Sequence, residues 1–204
     1  MKPVDNFELI RGLLDFSRPG TFYFLQILKR RKDNPDLGKD MIHIADYYID
    51  SFDRFDEYKE RVINLCEIEN ARAYFRLNRR DAKQAANETL RRLTEYVISE
   101  NYKPAKSAYA SCVGEFHSDP DKTWIVDIDW KDIADGMTKE IYIDSVIQSV
   151  ESLVRSGGRE PNTIKVPTKN GLHLITRPFR LDEFKKHWSG IEIHKDNPTV
   201  LYCK

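Results

Sequence analysis

The sequence predicts a mixed α/β (or α+β) protein, with a helical first third before a core of alternating strands and helices. Three observations support this prediction. Apolar residues recur at helical spacing up to about residue 69, period-two alternation starts at residues 71–78, and residues 123–130 form an apolar run that carries two acids. From residue 70 the expected order is strand, helix, strand, helix, hairpin, helix and strand. We therefore divide the chain into a helical N-terminal extension, residues 1–69, and a core, residues 70–204.

The first third contains four apolar segments at helical spacing, separated by turn residues. The predicted helices cover residues 7–14, 22–31, 42–49 and 52–65. Proline and glycine within residues 17–20 and 33–38 interrupt the pattern, as expected of loops. The aromatic residues of this third also recur at helical spacing, which favours a role in packing.

The core begins with a strand at residues 71–78 and a helix at residues 82–100, which Asp81 can cap. On that helix Ala86, Leu90 and Val97 recur at helical spacing. The remaining predicted elements are strands at 123–130, 163–166, 172–176 and 191–203 (one or two strands), and helices at 141–154 and 181–188. An Asn-Gly turn joins the middle two strands as a hairpin.

Composition excludes several classes of protein. Lys and Arg number 33 and Asp and Glu number 33, so the formal net charge is zero, which argues against a polybasic nucleic-acid or membrane binder. Three cysteines without a CxxC pair argue against a zinc site or a disulfide framework. No uncharged apolar run approaches the roughly 18 residues that a membrane span needs. We expect a cytoplasmic protein with no membrane partner.

Asp127 and Asp129 are the first candidates for chemistry. They are two apart on a predicted strand, so both carboxylates point to the same face. Among apolar neighbours the two charges would repel and be poorly solvated unless a cation neutralised them. Hard oxygen ligands suit magnesium or manganese. The alternative is that the strand emerges into solvent and both acids are simply exposed at its end.

The second candidate is the turn at residues 168–173, which reads Thr-Lys-Asn-Gly-Leu-His. Thr168, Lys169 and Gly171 offer donors beside a backbone that an anion can approach. His173 then enters a strand and can face the same cleft, although a strand histidine is often a packing residue.

The third candidate is Asp196, a further acid near the end of a predicted strand. Residues 195–198 are equally good turn formers, in which Asp and Asn cap their own backbone.

Together these three elements resemble the archaeo-eukaryotic primase superfamily, which includes primase-polymerases of phages and mobile elements. That family has a hydrophobic strand ending in DxD, an SxH-type turn entering a strand, and a later strand with a final acid. Residues 124–129, residues 168–173 and, loosely, Asp196 match these parts, and residues 73–80 resemble its opening strand–helix unit. The resemblance covers about residues 70–204. Thr168 stands where the family has serine.

The resemblance implies a metal-dependent nucleotidyltransferase of DNA replication that adds nucleotides from NTPs or dNTPs on a nucleic-acid template. It implies that Asp127, Asp129 and Asp196 are catalytic and hold Mg²⁺ or Mn²⁺. Little of the chain follows Asp196, whereas strands often follow the last acid in that family.

The resemblance also implies a nucleotide site and partners. The nucleotide-binding residues would be Thr168, Lys169, Gly171 and His173, and the nucleic-acid-binding residues would be Arg76, Arg79 and Arg80. The expected partners are nucleoside triphosphates, a single-stranded DNA template and a helicase or second replication subunit. A phage or mobile-element origin agrees with the same resemblance.

Three alternatives compete with this hypothesis. A catalytically degenerate primase-like domain would bind nucleotide or a replication partner without turnover. A DxD phosphatase of the haloacid dehalogenase kind would use Asp127 as nucleophile and Asp129 as acid, but Trp130 and Lys131 follow where that family has Thr or Val. A two-histidine phosphoesterase needs Thr or Ser two residues after His173, and Ile175 stands there.

Overall fold

The computed structural model describes residues 3–115, 121–133, 136–154, 163–196 and 198–204. These residues form helices and two antiparallel sheets, so the mixed fold class is confirmed. The helices are α1 (Phe7–Arg11), α2 (Phe52–Glu69), α3 (Ala82–Ile98), α4 (Ala108–Glu115), α5 (Lys139–Leu153) and α6 (Leu181–His187). The strands are β1 (Val4–Asp5), β2 (Thr21–Arg30), β3 (Met41–Ile49), β4 (Arg72–Asp81), β5 (Trp124–Asp129), β6 (Ile164–Pro167), β7 (Gly171–Thr176), β8 (Glu192–His194) and β9 (Thr199–Cys203).

The first sheet has the strand order β1-β9-β4-β2-β3. The helices expected at residues 22–31 and 42–49 are wrong, because β2 and β3 occupy these segments. β2 is rich in aromatic and branched residues and is buried along almost its whole length, and such a continuous apolar run has no period that separates strand from helix. Because β4 pairs with β2 and β9, this sheet joins strands from both sides of residue 70.

One face of the first sheet carries the largest buried cluster. Tyr23, Leu25 and Ile27 of β2 pack there against α1 and α2, which contribute Ile10 and Phe55. Ser51 begins α2 by accepting a hydrogen bond from the backbone N–H of Arg54, and Asn70 ends it in a left-handed conformation (φ 48°). On β4, Ala73 and Phe75 belong to this cluster, whereas Arg72 and Tyr74 face a pocket described below.

The second sheet has the strand order β6-β7-β5-β8. Alternation along β5 places Val126 and Ile128 against α5 and α6, and Ile125 in the cluster of the first sheet. The predicted hairpin is confirmed, since β6 and β7 pair directly with Pro167 opposite Leu172. Asp127 and Asp129 therefore lie on the side of β5 that faces the first sheet.

The helix α3 differs from the expectation for an amphipathic core helix. Asp81 caps it as expected, through its carboxylate and the backbone N–H of Gln84. Of its described residues only Ala85 is buried, whereas Leu90 and Val97 of the apolar stripe are 64% and 60% exposed. None of the helices in the described ranges is long and apolar enough to cross a membrane.

Candidate functional site

Residues of both sheets line one pocket of about 420 Å³, which we call the inter-sheet pocket. The second sheet and its hairpin turn contribute Asp127, Asp129, Thr168, Lys169, Asn170, His173, Glu192 and His194. The first sheet and its loops contribute Leu28, Arg30, Lys32, Met41, Arg72, Tyr74, Pro198 and Val200. Acids and imidazoles therefore form one wall, and arginine and lysine side chains lie across from them.

The strand register brings the acid wall together. His173 of β7 and Glu192 of β8 pair with Asp127 from its two sides, so the three form one row across the sheet. His194 pairs with Ile125 and thus lies diagonally from Asp127 on the same face. Because side chains two apart share a face, Asp129 also points into the pocket.

The polar atoms of this wall lie close to one another. His173 Nε2 is 3.4 Å from Asp127 Oδ1, and His194 Nε2 is 3.7 Å from Asp127 Oδ2 and 3.5 Å from Glu192 Oε2. One ligand atom from each of Asp127, Glu192 and His194 lies within 4.8 Å of the other two. Asp129 stands slightly apart and pairs with the exposed Lys131 at 3.2 Å.

The electrostatics of the wall hold Asp127 ionised. Burial alone would raise the pKa of Asp127, but hydrogen bonds from His173 and His194 outweigh it and hold the pKa well below the usual range. The hydrogen bond to Asp127 raises the pKa of His194, against the opposing effect of burial. The wall thus combines a carboxylate that stays ionised with an imidazole whose protonated form that carboxylate stabilises.

His173 is held on both sides of its ring. Its Nδ1 lies 2.9 Å from Thr199 Oγ1, while its Nε2 faces Asp127, and the residue is buried. This geometry orients the Asp127 carboxylate. The proposed role of His173 as a nucleotide ligand is consistent with its place in the pocket lining, although both nitrogens already have protein partners.

The hairpin turn forms the rim of the pocket. The backbone N–H of Thr168 donates to Gly171 O at 3.1 Å, and the N–H of Trp130 donates to Asn170 O at 3.0 Å. Gly171 is required where β7 meets β5, because a Cβ there would lie 2.0 Å from Ile128 O. Of the predicted nucleotide-binding residues, Thr168, Lys169 and His173 line the pocket.

Of the basic residues of the pocket, sequence reasoning found Lys169 but missed Arg30, Lys32 and Arg72. Arg72 Nη2 and Nε donate to the two oxygens of Asp33 at 2.6 and 2.7 Å, and Lys169 Nζ is 3.5 Å from the same carboxylate. Arg30 Nη1 donates to Tyr74 Oη at 2.9 Å. The basic residues at the end of β2 were assigned to a predicted helix, so the sequence analysis did not place them in the site.

Asp196 lies elsewhere. It is not among the described residues that line the inter-sheet pocket, and its carboxylate accepts hydrogen bonds from Arg80 at 2.7 and 3.1 Å and from Asn78 at 3.1 Å. Arg76 Nη1 donates to its backbone carbonyl oxygen at 2.5 Å. The structure therefore does not bring Asp196 to Asp127, and Glu192 and His194 occupy the corresponding place on β8.

The three arginines that were predicted to bind nucleic acid are engaged within the protein. Arg80 is fully buried and also donates to Val113 O at 2.6 Å. Arg79 pairs with Asp15 at 2.8 Å and Asp121 at 3.5 Å. Arg76 is mostly buried beside Asp196. Each of the three guanidinium groups thus has at least one protein partner in the described part of the chain.

The donor set of the acid wall fits a divalent ion. Two carboxylates and an imidazole on adjacent strands each place one ligand atom within 4.8 Å of the others, so these residues could hold such an ion. Of the acids predicted to bind magnesium or manganese, Asp127 belongs to this group and Asp129 lies nearby.

Comparison with known proteins gives no relative: no family model, no curated protein and no solved structure matches the chain.

Proposed function

We propose that the inter-sheet pocket is the active site of a metal-dependent nucleotidyltransferase, which adds nucleotides from NTPs or dNTPs to a primer on a nucleic-acid template. The observation that carries this proposal is the arrangement of charges in one pocket. Asp127, Asp129 and Glu192 lie on one wall, and Arg30 and Arg72 lie on another. A triphosphate bridged to a divalent ion has the complementary pattern, because its metal end needs anionic ligands and its free oxygens need cations.

The basic residues would position the phosphates. Arg30, Arg72 and Lys169 present guanidinium and ammonium donors, which form strong charge-assisted hydrogen bonds to phosphate oxygens. Asp33 holds Arg72 and Lys169 in place, so part of the cost of ordering these side chains is met before a ligand binds.

The acid wall would hold the metal. Asp127 would be the central ligand, with Asp129 directed into the same pocket. A divalent ion supplies positive charge at the attacking hydroxyl and at the leaving pyrophosphate, which is the main requirement of phosphoryl transfer. No side-chain nucleophile is needed. The template, the primer and a helicase or second replication subunit are supported by the sequence resemblance alone.

The test is extension of a labelled primer on single-stranded DNA, with manganese or magnesium and all NTPs and dNTPs. We expect extension by the natural protein and its loss in Asp127→Asn, which keeps the shape of the side chain but removes its charge. The matched control is Asp144→Asn, because Asp144 is an exposed carboxylate on α5 that pairs only with Lys165 in the described structure. Extension by Asp127→Asn at the natural rate would refute the proposal.

One observation favours binding without turnover as a second candidate. Asp196, one of the three acids expected to be catalytic, is bound by Arg80 outside the pocket, so the pocket holds only two of the three. A nucleotide-binding accessory protein would bind triphosphate in the same pocket but give no extension with either metal. Hydrolysis of a phosphate ester in the absence of template would instead support the phosphatase alternative.

A further inference from the structure

We propose that the metal ligands of this protein are Asp127, Glu192 and His194, and that the imidazole makes the site selective for a transition ion such as Mn²⁺ over Mg²⁺. This inference deepens the proposed function by naming the ion and its ligands. It concerns binding of the metal alone, so it can be tested apart from nucleotide transfer.

Strand pairing fixes the backbone positions of the three proposed ligands relative to one another. Asp127 belongs to the central strand β5, and Glu192 and His194 alternate along the neighbouring β8, so their side chains leave the sheet on one face. Sites on strands hold their geometry better than sites on loops. All three residues line the inter-sheet pocket, so an ion could reach them from solvent.

The distances between ligand atoms agree with a shared ion. With metal–ligand bonds of about 2.1 Å, neighbouring ligand atoms lie about 3.0 Å apart in octahedral and about 3.4 Å apart in tetrahedral coordination. His194 Nε2 lies 3.5 Å from Glu192 Oε2 and 3.7 Å from Asp127 Oδ2. The ligand atoms of Asp127 and Glu192 lie within 4.8 Å of each other, so a shared ion would draw these two side chains closer together.

The Asp127 carboxylate is divided between two roles. Its Oδ1 faces His173, which is itself fixed by Thr199, and its Oδ2 faces His194 and the proposed ion position. Residues that hydrogen-bond to a metal ligand orient it and typically raise metal affinity by about 10–100-fold. Oδ2 is thus presented toward the ion in a fixed direction.

The chemistry of the donors decides the class of ion. Mg²⁺ prefers an octahedron of oxygen atoms and keeps several waters. Imidazole nitrogen binds first-row transition ions better than Mg²⁺, and the order of affinity rises from Mn²⁺ toward Co²⁺ and Zn²⁺. A set of two carboxylates and one imidazole therefore shifts selectivity away from Mg²⁺, whereas three carboxylates would not.

The experiment is a titration of the full chain with Mn²⁺, followed by the electron paramagnetic resonance signal of free Mn²⁺, with Mg²⁺ as competitor. We expect one bound Mn²⁺ per chain and at least about a tenfold excess of Mg²⁺ for half-displacement. His194→Ala should weaken Mn²⁺ binding by about 10–100-fold, since loss of a ligand costs at least as much as loss of a residue that hydrogen-bonds to a ligand. His194→Asp should bring the affinities for Mn²⁺ and Mg²⁺ closer together.

The matched control is His43→Ala. His43 Nε2 lies 2.6 Å from Asp46 Oδ1, so it is also an imidazole beside a carboxylate, but it does not line the inter-sheet pocket. We expect this variant to bind Mn²⁺ as the natural protein does. Equal Mn²⁺ binding by the natural protein and His194→Ala, or equal competition by Mg²⁺, would overturn the inference.

A second measurement guards against a variant that fails to fold. Electron spin-echo modulation of Mn²⁺ bound to the natural protein should show nitrogen coupling from one imidazole, and its absence would contradict the ligand assignment. Nitrogen-coupled Mn²⁺ without primer extension would refute the proposed function and leave this inference intact. Primer extension that Mg²⁺ supports as well as Mn²⁺, and that His194→Asp does not change, would refute this inference and support the proposed function.

Discussion

The substitution Asp196→Asn separates a structural role of this residue from a catalytic one. Arg80 is fully buried, and its guanidinium donates two hydrogen bonds to the Asp196 carboxylate, whose side chain is 16% exposed. Removing the negative charge leaves a buried cation without its counter-ion. The amide keeps the shape of the carboxylate and one acceptor oxygen.

The expected cost follows from this geometry. Breaking one partner of a buried ion pair destabilises a protein by about 3–5 kcal/mol. We expect about 3 kcal/mol, the lower end of that range, because Asp196 is partly solvated and asparagine retains an acceptor. Denaturant unfolding followed by circular dichroism measures the change as a lower midpoint at unchanged slope.

The control for Asp196→Asn is Asp56→Asn. Arg11 donates two hydrogen bonds to Asp56 at 2.8 and 2.9 Å, which is the same guanidinium–carboxylate chemistry at an exposed site. We expect little change in the free energy of unfolding, because exposed pairs are solvated and screened. If Asp196→Asn kept full stability but lost Mn²⁺ binding, the structural assignment would be refuted and Asp196 would return to the metal site.

Three further predictions concern packing and pH. Gly171→Ala should cost at least about 1–3 kcal/mol of stability, because the new Cβ would collide with the β5 backbone, and unfolding in urea measures it. Leu174→Ala should lower the free energy of unfolding by about 2–5 kcal/mol, because Leu174 is 0% exposed. Leu90→Ala, at a 64% exposed position, should change it by at most about 0.5 kcal/mol. Equal losses in the two variants would contradict the burial pattern. Burial alone would raise the pKa of Asp33, but the hydrogen bond and charge of Arg72 outweigh burial and lower it. The ionised Asp33 therefore stabilises the folded state above the unfolded pKa of about 3.9, and this stabilisation is lost as pH falls through the lower folded pKa. Asp33→Asn should therefore flatten the acid side of the stability–pH curve, and an unchanged curve would refute this assignment.

The second sheet was the more predictable part of the fold. Its central strand alternates Ile125, Asp127 and Asp129 with Val126 and Ile128, and period two is a direct consequence of strand geometry. The structure also confirms the predicted hairpin, β6 and β7, and the predicted helices α5 and α6. In these elements the local sequence pattern agrees with the tertiary contacts.

The first sheet shows where local pattern fails. β2 and β3 were assigned to helices, but β2 pairs with β4 across a long sequence separation, and β3 pairs with β2 at the edge of the sheet. The same error hid Arg30, the last residue of β2, and Lys32, which follows that strand; both line the pocket.

The site was predictable in part for a related reason. Asp127 and Asp129 share a strand, so their convergence follows from the sequence alone. Glu192 and His194 also alternate on a strand, but their approach to Asp127 depends on the pairing of β8 with β5. Asp196 was predicted as a metal ligand because it is an acid at a suitable distance along the chain. In the fold it pairs instead with the buried Arg80, a contact that the sequence does not reveal.

Binding of a triphosphate in the inter-sheet pocket can be tested with two adjacent arginines, Arg30 and Arg31. Arg30 lines the pocket, whereas Arg31 is 60% exposed and pairs with Asp40 on the loop outside it. Calorimetry would measure binding of a nucleoside triphosphate with a non-hydrolysable α–β bridge, in the presence of Mn²⁺. Arg30→Gln should raise Kd by about tenfold or more, the value of one charge-assisted hydrogen bond, and Arg31→Gln should leave Kd nearly unchanged. No binding by the natural protein, or equal loss in both variants, would contradict the account.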